Sequence, residues 1–250
     1  MAITHSLRIL TVNIHKGFSY FNRRFVLPEL RAAVRTVSAD MVFMQEVQGE
    51  HTLHAQRHSK HWPETPHYEF LADSIWQDYA YGRNAVYPSG HHGNALMSKY
   101  PIGDFQNIDV SVGRLEKRGV LHCEVVLPED TSTLHALCVH FGLRESYRRQ
   151  QLKLLCDLVE TLPIQDPVIV AGDFNDWRCQ AHRVMVDCGL SDVFVRDLGT
   201  APKTFPAFYP VFRLDRIYVR GVSNYRPIPL PNRPWAHLSD HAPLAARIVL

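Results

Sequence analysis

Several residues in this 250-residue sequence place chemically active groups at the ends of apolar runs. Glu46 closes the run MVFMQEV. A carboxylate there is costly if buried unpaired. It must face solvent, pair with an arginine or hold a cation, and carboxylates suit hard cations such as Mg²⁺. Gly172-Asp173-Phe174-Asn175 follows VIVA directly. Gly172 lets the backbone turn or approach another segment closely. Asp173 and Asn175 alternate about Phe174, so both can project from one side of a strand end, one as base or ligand and the other as amide donor. The plainer reading is a strand closed by an Asx turn. Ser239-Asp240-His241 sets an acid beside an imidazole, which can hold or tune the ring; a polar turn would explain the same three residues. His140 in CVHF and Asn13 in TVNI are again polar ends of apolar runs, where a lone histidine is more often a satisfied structural residue than a catalytic one.

The elements that must position these groups can be read from periodicity. Leu7–Ile14 is a buried strand, rich in β-branched and aliphatic residues. Phe25–Val37 carries Leu27, Leu30, Val34 and Val37 at helical spacing, with Pro28 tolerable in the first turn. After Asp40 a second apolar strand runs to Glu46. Tyr68–Ala72 and Asn94–Ser98 have strand composition. Val120–Leu127 and Thr133–Phe141 form a strand pair joined by the turn-rich segment Pro128–Ser132. Ser146–Leu162 is a helix, with Leu152, Leu155, Cys156, Val159 and Leu162 on one face and Pro163 as its stop. Pro167–Asn175 is a buried strand, Trp177–Cys188 a helix, and Arg213–Val219 and Ala242–Val249 are strands. A strand, helix and strand ending in MVFMQEV are echoed by HALCVHF, a helix and VIVAGDFN. Two such halves can stack sheet on sheet with helices outside. No linker or low-complexity tract divides the chain, so residues 1–250 are expected to form one domain.

Composition narrows the classes. The chain is 46% hydrophobic and 21% charged, which is globular, and its net charge of +2 does not announce a nucleic-acid binder. The five cysteines, Cys123, Cys138, Cys156, Cys179 and Cys188, are odd in number and lack a Cys-x-x-Cys pair. They read as small hydrophobes in a reducing compartment, without a disulfide framework. No signal peptide or membrane-length apolar run is visible, and the expected location is cytoplasmic.

Taken in order, Asn13, Gln45-Glu46, Gly93-Asn94, His140, Gly172-Asp173-Phe174-Asn175, Leu214-Asp215 and Ser239-Asp240-His241 resemble the motif set of the endonuclease/exonuclease/phosphatase superfamily. That superfamily includes exonuclease III-like and DNase I-like nucleases, inositol polyphosphate 5-phosphatases and sphingomyelinases. The resemblance spans Leu7 to Leu250, and GDFN and SDH are its most specific pieces. NIHKG and the histidine-rich stretch after QEV resemble a bacterial branch, some members of which are encoded near cardiolipin synthase. The resemblance implies a four-layer α/β sandwich, two mixed sheets face to face with helices outside, and a site in a cleft at one edge. It implies that Glu46 ligates a Mg²⁺ or Mn²⁺ ion with Asn13 close by and Asp240 near the metal or water. Asp173 would activate the attacking water and Asn175 would hold the phosphoryl group. His241, oriented by Asp215, would stabilise the developing charge, and His140 would touch the scissile phosphate. Asn94 and Arg118 match weaker positions beside the cleft.

The expected activity is metal-dependent phosphodiester hydrolysis by a monomer, with nucleic acid preferred as substrate over lipid head groups or inositol phosphates. A non-catalytic binding module keeping the fold is the alternative of a different class. Arg144, Arg148 and Arg149 open the long helix and could reach phosphates, or form a solvated face. His51, His54, His58 and His61 would share a face if Glu50–His61 were helical; a zinc site is the sharp reading and a solvated rim near Glu46 the plain one. The aromatics Tyr79, Tyr81, Phe205, Phe208, Tyr209 and Phe212 could stack a base or insert in lipid, with core or loop packing the plainer reading, and Pro227–Pro234 reads as an ordered loop beside the site.

Overall fold

In the computed structural model, which describes residues 5–73, 75–114, 116–128 and 133–250, the apolar runs build two sheets with the same internal plan. Strand β1 (Ser6–Asn13) leads to helix α1 (Leu27–Val37), which returns the chain to β2 (Met41–His51) parallel to β1. Two short helices, α2 (Thr52–Arg57) and α3 (His67–Ala72), precede the hairpin of β3 (Asp78–Tyr87) and β4 (Gly90–Ser98). The second sheet begins with β5 (Ile102–Asp109), β6 (Gly119–Val126) and β7 (Thr133–His140). Helix α4 (Glu145–Thr161) then carries the chain to β8 (Val168–Asp173), parallel to β7. Next come α5 (Ala181–Asp187), the two-residue β9 (Ser191–Asp192), α6 (Val193–Leu198) and β10 (Asp215–Arg220). The final strands, β11 (Asn224–Ile228) and β12 (Leu244–Val249), cross back to the first sheet.

The strand orders are β11-β12-β1-β2-β4-β3 and β5-β6-β7-β8-β10-β9. Position for position, each sheet holds one parallel pair around a helix crossover, flanked by antiparallel neighbours. The echo between MVFMQEV and VIVAGDFN is thus an echo of topology. Period-two alternation sends one side of every central strand into the space between the sheets. There Ile9, Phe43 and Leu96 meet Leu121, Ala136, Ile169 and Ile217. The opposite sides are covered by α1 and α3 on the first sheet and by α4 and α5 on the second. The result is the four-layer α/β sandwich with two mixed sheets inside.

Some local expectations are corrected. Tyr68–Ala72 lies in helix α3 rather than in a strand, because Leu71, Ala72 and His67 bury one helical face over β2 and β4. The helix expected over Trp177–Cys188 is only Ala181–Asp187; Asp176 accepts from the backbone N–H groups of Gln180 and Ala181 and holds the preceding segment as a turn. Only part of the histidine stripe is helical, since α2 ends at Arg57. His54 and His58 pack on Phe18, and His54 stacks on Trp62. The proline-rich stretch is not beside the candidate site: Pro227 sits in β11, and Pro229–Pro231 line a separate apolar groove with Phe194 and Trp235. Cys156 and Cys188 form a disulfide, against the expectation of none, because packing of α4 on α5 brings their Cα atoms to 5.7 Å. Cys123 and Cys138 are buried between the sheets as small hydrophobes. Residues 129–132 of the expected Pro128–Ser132 turn lie outside the described residues. No helix among the described residues is long and apolar enough to cross a membrane.

Gly172 shows why the GDFN motif needs its glycine. Its φ is +150°, and a Cβ there would stand 2.0 Å from the Val139 carbonyl oxygen on β7. Backbone, unlike a flexible side chain, cannot move aside without breaking the β7–β8 ladder. Gly172→Ala is expected to cost about 2 kcal/mol or more of stability. A urea midpoint equal to that of the unmodified protein would refute this.

Candidate active site

The two parallel pairs bring their C-terminal ends to the same edge of the sandwich. Asn13 stands opposite Gln45 in the first sheet, and His140 opposite Asp173 in the second. Antiparallel pairing then sets Asp215, the first residue of β10, beside Asp173. The turn before β12 delivers Ser239, Asp240 and His241, anchored where the Ser239 hydroxyl donates to the Asn13 carbonyl at 2.6 Å. A register shift between Met44 and Val47 interrupts the β2–β4 ladder, and Glu46 adopts φ +55° within it. An extra residue of this kind re-aims a side chain, and here the Glu46 carboxylate enters the cleft.

Asp173 is the centre of the arrangement and is 1% exposed. The Asn175 backbone N–H donates to its Oδ1 at 2.8 Å, and the Asn13 amide donates to its Oδ2 at 3.1 Å. The same Oδ2 lies 3.6 Å from His140 Nε2 and 3.7 Å from His241 Nε2. His241 Nδ1 is 2.9 Å from Asp215 Oδ2, so Asp215 fixes the ring and leaves Nε2 facing Asp173. Phe205 packs on the His241 ring at 5.0 Å between centroids.

These contacts set the charges. Burial pushes the Asp173 carboxyl up, and Asp215 adds to this, while His241 pulls the other way. For His241 burial acts downward, but the Asp215 and Asp173 carboxylates outweigh it and hold the imidazolium well above its ordinary range. His140 is pushed far down, first by burial and then by the Arg118 cation, so its ring is neutral near pH 7. Burial would raise Glu46, yet the Lys16 ammonium at 3.0 Å keeps it ionised and well below the usual carboxylate range.

The donor set fits a hard divalent cation. Glu46 Oε2 is buried and, apart from Lys16, has no polar partner among the described residues, and Asp215 Oδ1 is buried without one. Oxygen atoms of this kind suit Mg²⁺ or Mn²⁺ better than a soft metal. Asp173, Asp215 and His241 also place one ligand atom each within 4.8 Å of the others.

The remaining expected residues separate. Arg118 lines the cleft, with Nε donating to the Phe141 carbonyl at 3.1 Å. Asp240 lines it too, 3.6 Å from His15 Nδ1. Asn94 is fully buried, and its amide donates across the sandwich to the carbonyls of Gly119 and Cys138 at 2.9 and 3.1 Å, which ties the two sheets together beneath the site. Asn175 donates to the Phe141 carbonyl at 2.9 Å, with Asp173 Oδ2 at 3.4 Å. Arg144 is exposed before α4 and does not line the cleft, whereas its neighbour Leu143 does.

Sequence reasoning passed over Lys16. After β1 the chain reverses through His15, Lys16 and Gly17, all at positive φ, and this turn carries the lysine back over Glu46. The only signal was the glycine in NIHKG. It also passed over Leu143, Trp177 and Leu214, which with Phe205 and Phe212 form the apolar wall of a cleft of about 380 Å³.

Comparison with known proteins agrees with this geometry. The profile of the Endonuclease/Exonuclease/phosphatase family matches residues 10–241. The uncharacterised protein YbhP of Escherichia coli (strain K12) is 58% identical over 246 residues, 98% of this chain and 97% of that protein. Among solved structures, an endonuclease/exonuclease/phosphatase from Beutenbergia cavernae has a TM-score of 0.78 at 19% identity, covering 98% of this chain and 72% of its own. A mannosyl-6-phosphatase from Bacteroides thetaiotaomicron has a TM-score of 0.70 at 17% identity, covering 98% and 100%.

Proposed function

The chain belongs to the endonuclease/exonuclease/phosphatase family, and from that premise we propose that it is a divalent-metal-dependent phosphodiester hydrolase, with nucleic acid as its first substrate class. The family's members are hydrolases of phosphate esters. The observation that carries the reading is the buried Asp173 carboxylate, held by Asn13 and Asn175 and faced by two histidine Nε2 atoms at the cleft. A Mg²⁺ or Mn²⁺ ion on Glu46, with Asp240 near it, would neutralise ester charge and make bound water more acidic.

The chain's own residues divide the remaining work. Asp173 accepts the proton of the attacking water, since its Oδ2 is the atom that faces the cleft histidines. His241 stays protonated between two carboxylates and offers Nε2–H to the phosphoryl oxygen as charge builds there. His140 is neutral, so it orients the scissile group by hydrogen bonding rather than by charge. Asn13 and Asn175 use their amides on Asp173 and the backbone, and so act by aiming the base. The hydrogen-bonding partners of Asn94 make it a support of the cleft floor rather than a substrate contact.

For the substrate, Arg118 in the cleft and Arg178 over the exposed Trp177 ring at 4.7 Å offer phosphate contacts and a face on which a base can stack. A second reading, a phosphate ester carrying an apolar group such as a phospholipid, is favoured by the apolar mouth. The cleft residues Leu143, Trp177 and Phe212 are 61%, 47% and 42% exposed.

The deciding experiment is a panel of plasmid DNA, RNA, bis(p-nitrophenyl) phosphate, phospholipid, inositol phosphate and sugar phosphate, each with Mg²⁺ or Mn²⁺ and with EDTA. Diester cleavage that EDTA abolishes is expected, with nucleic acid preferred. Silence on every member would overturn the proposal in favour of a binding module. In the same assay Glu46→Gln is expected to raise the metal concentration for half-maximal rate roughly tenfold or more; an unchanged metal titration would remove Glu46 from the ligands.

A further inference from the structure

A second cluster of metal-binding side chains lies on the outer face of the second sheet, away from the cleft. His122 and Glu124 are two residues apart on β6 and therefore share a face, while Leu121, Cys123 and Val125 point into the core between the sheets. His135 on β7 pairs directly opposite Glu124. The three side chains each present one ligand atom within 4.8 Å of the others. His122 and His135 are only 5% and 4% exposed, and Glu124 is half-buried.

We propose that His122, Glu124 and His135 form a zinc-binding site that clamps β6 to β7 and is independent of the hydrolytic centre. The two ring nitrogens that face one another, His122 Nε2 and His135 Nδ1, are 2.9 Å apart. Tetrahedral zinc with Zn–N bonds of about 2.0–2.1 Å needs them about 3.3 Å apart, so a ring shift of a few tenths of an ångström suffices. The other nitrogen of His135 already lies 3.4 Å from Asp166 Oδ2, in the loop between α4 and β8. A metal-binding histidine characteristically gives its second ring N–H to a carboxylate, which fixes its tautomer. Two imidazoles and one carboxylate suit zinc, unlike the oxygen-rich set around Glu46. Five residues separate His135 from His140 on β7, about 16 Å along the strand, so the two sites share no ligand.

Without zinc the same groups form a hydrogen-bonded chain from His122 through His135 to Asp166, and among the described residues Glu124 takes no part in it. That difference makes the test. Chelator-stripped full-length protein in excess Mg²⁺ is titrated with Zn²⁺ by calorimetry and with Co²⁺ by visible absorption. The unmodified protein should bind one zinc ion that raises its melting temperature by a few degrees, and should show the d–d bands of nitrogen-ligated Co²⁺. His122→Gln/His135→Gln should lose that ion and those bands but keep the Mg²⁺-dependent activity. Should the double variant not fold, Glu124→Gln, at a half-exposed position, should still weaken zinc at least tenfold. Absence of zinc binding to the unmodified protein, affinity unchanged in Glu124→Gln, or loss of the ion on His54→Gln instead would each overturn the proposal.

Discussion

Asp173→Asn is expected to lower turnover on any cleaved diester at least about a hundredfold while leaving the fold intact. The asparagine keeps the shape of the side chain and one oxygen for the Asn175 N–H. It loses the ability to take a proton, and its amide would face the Asn13 amide, donor against donor. Removing a buried carboxylate relieves the desolvation that pushes Asp173 up, so the stability cost of the mismatched donors is partly offset. The melting temperature is therefore expected to move by only a few degrees. Single-turnover rates at saturating metal measure the effect. A loss under tenfold with confirmed folding would transfer the role of base away from Asp173.

His241→Ala should have a loss of similar size, at least about a hundredfold, but by another route and with a structural penalty. The imidazolium is the cation between Asp215 and Asp173. Its removal takes away the donor to the phosphoryl oxygen and leaves two buried carboxylates side by side. Breaking a buried pair by deleting one partner costs about 3–5 kcal/mol, so His241→Ala should melt well below Asp173→Asn. Asp215→Asn separates the two effects. It keeps the His241 ring but weakens its hold on Nδ1–H, and should reduce the rate without the full loss. Equal rates for Asp215→Asn and the unmodified protein would show that the Asp215–His241 bond at 2.9 Å does not position the acid.

The sandwich was readable where strands carry continuous apolar runs, because burial on both sides demands them; LRILTVNI, MVFMQEV and VIVAG are of this kind. Edge strands escaped. IGDFQNID in β5 is largely exposed and alternates weakly, and DYAYGRNAVY in β3 is interrupted by Gly82. Tyr68–Ala72 misled because five residues with two aromatics fit strand and helix alike, and only packing decides between them. Strand-end residues were legible as candidates because a polar group at the end of an apolar run requires explanation. Their mutual geometry was not legible: Lys16 reaches Glu46 through a left-handed turn, and Asn94 is used up between two carbonyls of the other sheet. The pairing of Cys156 with Cys188 depends on how two helices dock, which a spacing of 32 residues does not encode.

The pairing of β12 with β1 also has a consequence in time. Ser6 pairs with Val249, and β12 fills the slot between β11 and β1. A ribosome adding roughly 5–20 residues per second makes β12 some 12–50 s after β1. Until then one edge of β1 has no partner, and His241, carried on the approach to β12, is not yet beside Asp173. The nascent polypeptide therefore holds Asn13, Glu46, His140 and Asp173 without its charged histidine, and the candidate site is completed in one late step. In the same interval the exposed edge of β1 is open to unwanted strand pairing, which a chaperone would block.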